Sequence, residues 1–325
     1  MAMTLVQAAK LSNDRLLVGV IETIITESGL LQVLPFIEVV GNGLTYNREL
    51  TLPTARFYDV NEEWVESTPT FEQDTAVLRI MGGDADVDNF LKATRSVIND
   101  LEGVTIEMKA KAVKNVFEEK FINGNNTTNP KEFDGIDQLM GLTTEDVAVP
   151  GDVNYSEQVI RAATAAASAT LTLTMIDKLM DAVKGGKPDA LMMNKRARRK
   201  IKDLTRGAGF NLETDRNEFG MYIERINGVP IIIDDWILNG MACTPADCGE
   251  IAAYTGGDST VIYAVRWGEG ALAGITAPGH LTVEPIGSLE SHDATRTRVK
   301  WYTSLALFSN VSVAALIGVQ APGGL

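Results

Sequence analysis

From Val39 to about Ile80 the chain contains no lysine and reads as β structure studded with turns. A cluster of small and acidic residues follows at Gly82–Asp88, and then a single long helical pattern from Leu101 to Ile122. No other feature limits the fold as much. A two-stranded ribbon of that length has no evident partner of its own, and an isolated hairpin is marginal in water. It is expected to lie on another copy of the chain, which puts assembly ahead of catalysis as the first functional hypothesis.

Within the ribbon, Asn42-Gly43 is a turn signal, and Pro53 and Pro69 interrupt strands. Prolines confine such strands to edges or extended loops. Phe57, Tyr58, Trp64, Phe71, Val77, Leu78 and Ile80 supply strand-forming bulk. Two arms of about 20 residues each would reach roughly 60 Å at ~3.3 Å per residue. The helical pattern carries Ile106, Ala110, Val113, Phe117 and Phe121 along one stripe and ends at Asn123-Gly124. Glu107/Lys111 and Lys114/Glu118 stand at i,i+4, where opposite charges on a wet helix face support one another. At ~1.5 Å per residue the helix spans about 33 Å, enough to act as the backbone of a domain.

The net charge of −14 among 325 residues argues against a surface that grips phosphates, because nucleic-acid binders carry excess lysine and arginine. A protein that merely encloses nucleic acid is compatible with it. Cys243 and Cys248 are the only cysteines, too few for a disulfide framework, which fits a reducing compartment. Met1–Lys10 has no basic start followed by an apolar run. The longest apolar runs, Val229–Ile233 and Val313–Val319, are strand-length, far below the roughly 18 residues of a membrane helix. A soluble protein made in a cytosol is expected.

Leu16, Leu17, Val20, Ile21, Ile24 and Ile25 recur at helical spacing before Gly29, Leu30–Phe36 then leads into the β segment, and this apolar arm, outside any evident lobe, is expected to pack on something else. From Asp134 to Pro278 a separate α/β lobe is expected. It would hold a helix at Ser156–Ala169, a second helix capped by Thr174 and closed by Gly185-Gly186, and a buried strand at Asp189–Met193. Asn194 would cap a helix from Lys195 to Thr205. Met221–Ile226 and Val229–Asp234 flank Asn227-Gly228, a type I′ hairpin signature. Strands are expected at Val261–Trp267, Leu281–Ile286, Thr295–Phe308 and Val311–Val319. Helices and strands mix without strict alternation, so α+β fits better than a doubly wound sheet.

The chemical motifs are each answered by a blander reading. Gly268-Glu269-Gly270 follows a strand, but a dinucleotide fingerprint needs a helix next, and Pro278-Gly279 leaves no room for one. Gly186-Lys187 lacks the other elements of a phosphate loop. Asp84, Asp86 and Asp88 have the alternate spacing of a calcium loop, but Asn89 and Arg95 stand where that loop needs glycine and glutamate. Those carboxylates are better placed to complement the positive end of a following helix. A cation-dependent enzyme built on Asp84, Asp86 and Asp88 is the alternative from another function class. His280 and His292, the only histidines, have neither zinc-module spacing to the cysteines nor a nucleophile elbow for company. Lys195, Arg196, Arg198, Arg199, Lys200, Lys202 and Arg206 form the one dense basic cluster, read as a helix face meeting an acidic neighbour before it is read as a nucleic-acid site. No catalytic, cofactor-binding or metal-ligating residue is assigned.

Taken in order, the segments resemble the major capsid proteins of tailed bacteriophages, the Hong-Kong-97-type capsid fold shared with encapsulin compartments. Phe117-Glu118-Glu119-Lys120-Phe121-Ile122-Asn123-Gly124 and Phe133-Asp134-Gly135 look like the end of that family's spine helix and the entry to its axial lobe. Lys187–Asn194 looks like the lobe's strand-to-helix junction, Asn227–Ile233 like its hairpin, and Leu281–Glu284 with Thr297–Phe308 like its closing strands. The resemblance implies an N-terminal arm at 1–40, an extended β-hairpin loop at 41–82, and a peripheral domain at 83–134 and 279–305 with its spine helix at about 101–122. An α/β axial domain would comprise 135–278 and 306–325. It implies self-assembly as hexamers and pentamers into an icosahedral virion head that encloses double-stranded DNA without reading it, built in the host bacterial cytoplasm, with no membrane and no cofactor. Separate scaffolding, portal and decoration proteins are the implied partners. An encapsulin-like compartment shell is the alternative within the same fold. Some relatives begin with a fused scaffolding segment; this chain starts almost at its arm, so the assembly aid is expected to be separate, absent or already removed.

Some family members join a loop lysine to a peripheral-domain asparagine. Here no lysine occurs between Lys10 and Lys92 and no asparagine between Asn239 and Asn310. Mature particles boiled in detergent should therefore run as single subunits on a denaturing gel; a ladder of covalent oligomers would contradict this.

Overall fold

The structure is a computed structural model that describes residues 28–51, 53–90, 101–140, 158–162, 169–209, 212–216, 222–237 and 259–320. The helix expected around Leu16–Ile25, both cysteines and most of Ala162–Ala169 lie outside the described residues. The described residues form a mixed α+β fold with three sheets.

The first sheet has the order β1 (Phe36–Glu38), β12 (Leu272–Ser288), β13 (Ala294–Leu307), β4 (Arg79–Asp88). β1 runs parallel to β12; the other pairings are antiparallel. The long helix α1 (Leu101–Asn123) packs on one face of it. Its expected stripe is buried: Ile106, Ala110, Val113, Phe117 and Phe121 all face the core. Phe117 stacks on Trp301 of β13 at 4.9 Å between ring centroids, and Phe36, Phe121 and Phe133 close around it at 5.8–6.1 Å. The Trp301 indole N–H donates to Thr276 Oγ1 at 3.1 Å, which satisfies the one polar atom of that aromatic cluster's largest ring.

The second sheet has eight strands. Seven lie in the order β5 (Val159–Arg161), β14 (Val313–Gln320), β11 (Ser259–Val265), β7 (Ala190–Met193), β10 (Val229–Ile233), β9 (Tyr222–Ile226), β8 (Glu213–Arg216), and β6 (Ala169–Thr170) also pairs with β14. Both faces of its centre are covered. Met192, Tyr263, Val265, Val313 and Ala315 point into the core shared with α1, while Leu191, Met193, Ile262, Ala264 and Leu316 point to a second core. That second core lies under α3 (Leu173–Ala182) and α4 (Lys195–Gly207). Strands buried on both sides must be apolar throughout, which accounts for the unbroken run Val313–Val319.

Gly124 and Gly135 join the two halves. The Gly124 N–H bonds to Lys120 O and the Gly135 N–H to Gly124 O, both at 2.9 Å. A Cβ on Gly124 would lie 2.3 Å from Phe133 O, and one on Gly135 would lie 2.6 Å from Ile122 O. The chain therefore leaves α1 and enters the short helix α2 (Ile136–Leu139) through a contact that only glycine permits.

Several expectations are corrected. Leu30, Leu31, Leu34 and Phe36 do not leave the lobe to find a partner; they are buried in the chain's own core beside α1. The segment read as a helix at Ser156–Ala169 instead carries β5, parallel to β14, because the sheet edge offers Val159 and Ile160 a place that alanine propensity cannot outweigh. Thr172, not Thr174, caps α3, its Oγ1 accepting the Met175 N–H at 3.4 Å. The cluster of small and acidic residues at Gly82–Asp88 is strand: a Cβ at Gly82 would sit 2.2 Å from Val299 O, so glycine there serves close strand approach. β12 starts at Leu272 and runs through Pro278-Gly279, because a bulge sets five steps of β12 (Thr276 to Leu281) against two of β13. Lys114 and Glu118 are not on a wet face; each side chain is only 14% exposed. Asn194 as a cap, with its Oδ1 accepting Ala197 N–H at 2.8 Å, and the Asn227-Gly228 hairpin, with φ of 50° and 81°, stand as expected.

Phe117→Ala removes the ring at the centre of this aromatic cluster. It is expected to cost about 3–5 kcal/mol, read as a lower midpoint in urea unfolding with helical circular dichroism retained before the transition.

Candidate assembly surfaces

The third sheet is the ribbon, β2 (Gly43–Thr51) paired antiparallel with β3 (Thr70–Val77). It is shorter than expected, about 30 Å at ~3.4 Å per residue, and its foot has a partner in its own chain. Leu44, Tyr46 and Ala76 pack with Val39, Ile275, Ala306 and Phe308 on the face of the first sheet opposite α1. Tyr46 lies 4.8 Å from Phe308 between ring centroids. Arg48 is 7% exposed; its guanidinium bonds Asp74 across the ribbon and donates to Asn310 Oδ1 at 2.6 Å. The foot is thereby fixed in direction.

The far end is not strand. Residues 53–69 form an irregular tip held by its own contacts. Tyr58 and Trp64 stack at 4.2 Å, the Val65 N–H donates to the Tyr58 hydroxyl at 3.2 Å, and Ser67 Oγ donates to Thr54 O at 3.1 Å. Phe57 (103%), Val60 (87%) and Trp64 (78%) are exposed at this tip, beside Asp59, Glu62, Glu63 and Glu66 and a single basic residue, Arg56. Several large apolar side chains exposed together on one directed arm point to a surface meant to be covered.

Beyond the ribbon's foot, the same face of the first sheet carries a ladder of charge. Asp84 stands opposite Arg298 and Asp86 opposite Arg296 in the β4–β13 register. Arg298 grips Asp84 with two bonds of 2.6 and 2.9 Å; Arg296 grips Asp86 with two of 2.7 and 2.6 Å. Lys300 reaches Glu284 on β12 at 2.6 Å. The side-chain hydrogen bond from Arg298 holds the Asp84 carboxyl below its ordinary range, and that from Arg296 does the same for Asp86. This overturns the cation reading of Asp84 and Asp86: their oxygens are bound to guanidinium groups, and both residues lie within the strand. Asp88, at the strand's end, does stand directly before helical residues, Asn89 and Phe90, and its Oδ1 accepts the Phe90 N–H at 2.8 Å, as expected of an acidic residue at a helix start. Among the described residues no cluster of metal-ligating side chains occurs.

Outside its buried stripe α1 leaves three large apolar side chains exposed, Val104 (48%), Met108 (67%) and Val116 (42%). α4 answers its acidic-neighbour reading inside its own chain for three of its cations. Lys195 Nζ lies 2.5 Å from Asp235, and Lys202 and Arg198 both meet Glu224 of β9. Arg199, Lys200 and Arg206 have no carboxylate partner among the described residues. Gly268–Gly270 is a turn into β12, with no helix after it. His292 is exposed on a turn, and no described helix is long and apolar enough to cross a membrane.

The family model of the SU10 major capsid protein matches residues 64–244, more than half of the chain. No curated protein sequence matches. Among solved structures, the holo-SrpI encapsulin complex from Synechococcus elongatus PCC 7942 is similar at a TM-score of 0.61 and 16% identity, over 100% of this chain and 99% of that one. The capsid of an empty GTA particle gives a TM-score of 0.63 at 15% identity over 90% of each chain. Mycobacterium phage Bobi gives 0.54 at 15% identity over 92% and 91%. At these identities the structural likeness speaks for the fold.

Because the carboxylates of the ladder are already bound, millimolar calcium or magnesium should produce no binding heat in titration calorimetry and no rise in melting temperature. Replacing both Arg296 and Arg298 by glutamine should lower the melting temperature by leaving Asp84 and Asp86 unpaired side by side.

Proposed function

This chain belongs to the SU10 major capsid protein family, a structural, non-enzymatic component of the virion capsid, and from that premise we propose how it builds its shell. Subunits associate as hexamers and pentamers that close into an icosahedral head around double-stranded DNA. Each subunit lays the tip of its ribbon, residues 53–69, over a neighbour. The observation that carries this is the tip itself: Phe57, Val60 and Trp64 exposed at the end of an arm whose foot is pinned by Arg48 and Tyr46.

In this reading residues 1–40 are the arm, with its last part, from Ser28, anchored in the core, and 41–82 the extended loop. Residues 83–134 with 279–305 form the peripheral domain, and 135–278 with 306–325 the axial domain at the capsomer centre. The ladder of paired charges, the exposed apolar side chains of α1 and the cations Arg199, Lys200 and Arg206 supply further polar and apolar contacts between subunits. The net charge of −14 suits a wall that contains DNA without gripping it. Portal and decoration proteins are further partners, and the scaffold is a separate protein, absent or already removed. A compartment shell loaded with a cargo enzyme is the second reading, supported by the full-length likeness to an encapsulin.

The test is expression of the chain alone with negative-stain microscopy. Closed shells, tubes or capsomers are expected; a monomer under all conditions would overturn the proposal. Replacing residues 56–65 by a glycine–serine linker should leave the subunit's melting temperature nearly unchanged and abolish closed shells. Co-purifying nucleic acid of genome length supports the phage head, whereas a resident enzyme supports the compartment.

A further inference from the structure

Where the end of α1 meets the second sheet, acidic groups from separate segments are buried together with little positive charge to offset them. Asp137 of α2 is 7% exposed and accepts a hydrogen bond from the hydroxyl of Tyr263, fully buried in β11. Asp234, just past β10, is 5% exposed. Its Oδ1 accepts the Trp236 N–H at 2.8 Å, and its Oδ2 is buried without a partner. Asp234 is held in place because its own N–H donates to Met193 O at 3.0 Å. The neighbouring Trp236 carbonyl accepts from Asn123 Nδ2, at the end of α1, at 3.4 Å.

Tyr263 is the group that Asp137 faces. Asp234 faces Glu118 and Lys114 of α1 and its neighbour Asp235, and Tyr263 feels both Asp234 and Asp137. Lys114 is shared with Glu118, 3.8 Å away, and Asp235 is engaged by Lys195. Glu118 also faces Ser28, where the N-terminal segment enters the core, and burial raises its carboxyl above the ordinary range. Among the described residues neither Asp137 nor Asp234 has a cation of its own, and a buried carboxylate without one is strongly disfavoured.

We propose that this junction is a proton-operated latch: protonated Asp137 and Asp234 hold α1 and α2 against the second sheet, and their ionisation loosens that contact. Burial pushes both carboxyls up to about 7 from an ordinary 3.8. With the folded value raised, the stabilisation is fully present below about pH 3.8, is lost progressively as pH rises, and is gone above about 7. The strands themselves need not change. One sequence thereby gains two states of a single internal contact near neutral pH, whatever the subunit assembles into.

Hydrogen exchange by mass spectrometry on the full chain tests this, with rates corrected for the intrinsic effect of pH. Between pH 5 and 8 the opening constant of the segments around 113–140 and 229–237 should rise by at least about tenfold, each carboxyl contributing up to about tenfold per pH unit. In Asp137→Asn/Asp234→Asn most of that rise should disappear, leaving only the smaller contribution of Glu118. A wild-type opening constant that does not rise with pH would overturn the latch, as would a double variant that keeps the full dependence. Should that variant not fold, infrared spectroscopy of the wild-type chain decides. A buried protonated carboxyl band at pH 6 that vanishes by pH 8 supports the latch, and its absence at pH 6 sinks it.

Discussion

Trp301 on β13 is the contact on which the rest of the structure depends. Its inner face meets Phe117 of the long helix, its edge meets Phe36, and its N–H is tied to Thr276 of the next strand. Because β13 is paired on both sides, by β12 and β4, a single buried ring fixes the helix against three strands at once. It also fixes which face of those strands looks outward. Past Trp301 the strand is buried on both faces, by the core on Leu305 and Leu307 and by the ribbon's foot on Ala306. Before it, the outward positions are Arg296, Arg298 and Lys300. One strand thus has a dry end that holds the ribbon and a wet end that carries the charge ladder.

That division explains how an acidic chain can expose so much and remain a folded subunit. Asp84 and Asp86, neighbours on one face of β4, are neutralised across the strand pairing by Arg298 and Arg296, which stand directly opposite them. What is left uncovered is apolar surface at the end of a rigid mount, on the ribbon tip, and the exposed apolar side chains of α1. A capsid subunit needs its stability inside the chain and its unsatisfied surface at the edges. Here the aromatic cluster supplies the first and residues 53–69 the second.

The junction of α1 with the second sheet follows a different principle. Gly124 and Gly135 bring backbones too close for any side chain, while Asp137 and Asp234 bring buried carboxyls with no cation of their own among the described residues. The first feature fixes the path of the chain. The second makes that contact cheaper to open as protons leave, so rigidity and adjustability sit within a few residues of each other.

The sequence by itself determined the elements whose signals are local. The stripe of α1, the Asn194 cap, the Asn227-Gly228 turn and the apolar strands of the second sheet depend on spacing between neighbours, and the order of these segments carried the family resemblance. Only the tertiary structure decided what depended on partners distant in sequence. Asp84 and Asp86 looked like ligands because Arg296 and Arg298 lie more than two hundred residues away. Val159 became strand because β14 offered it an edge, and Leu30–Phe36 became core because α1 left a groove for them. Periodicity named the buried side of α1, but it gave no reason for Val104, Met108 and Val116 to stand exposed outside that stripe. Local backbone chemistry is written in adjacent residues; charge pairing and burial are properties of what the folded chain brings together, and no spacing along the chain records them.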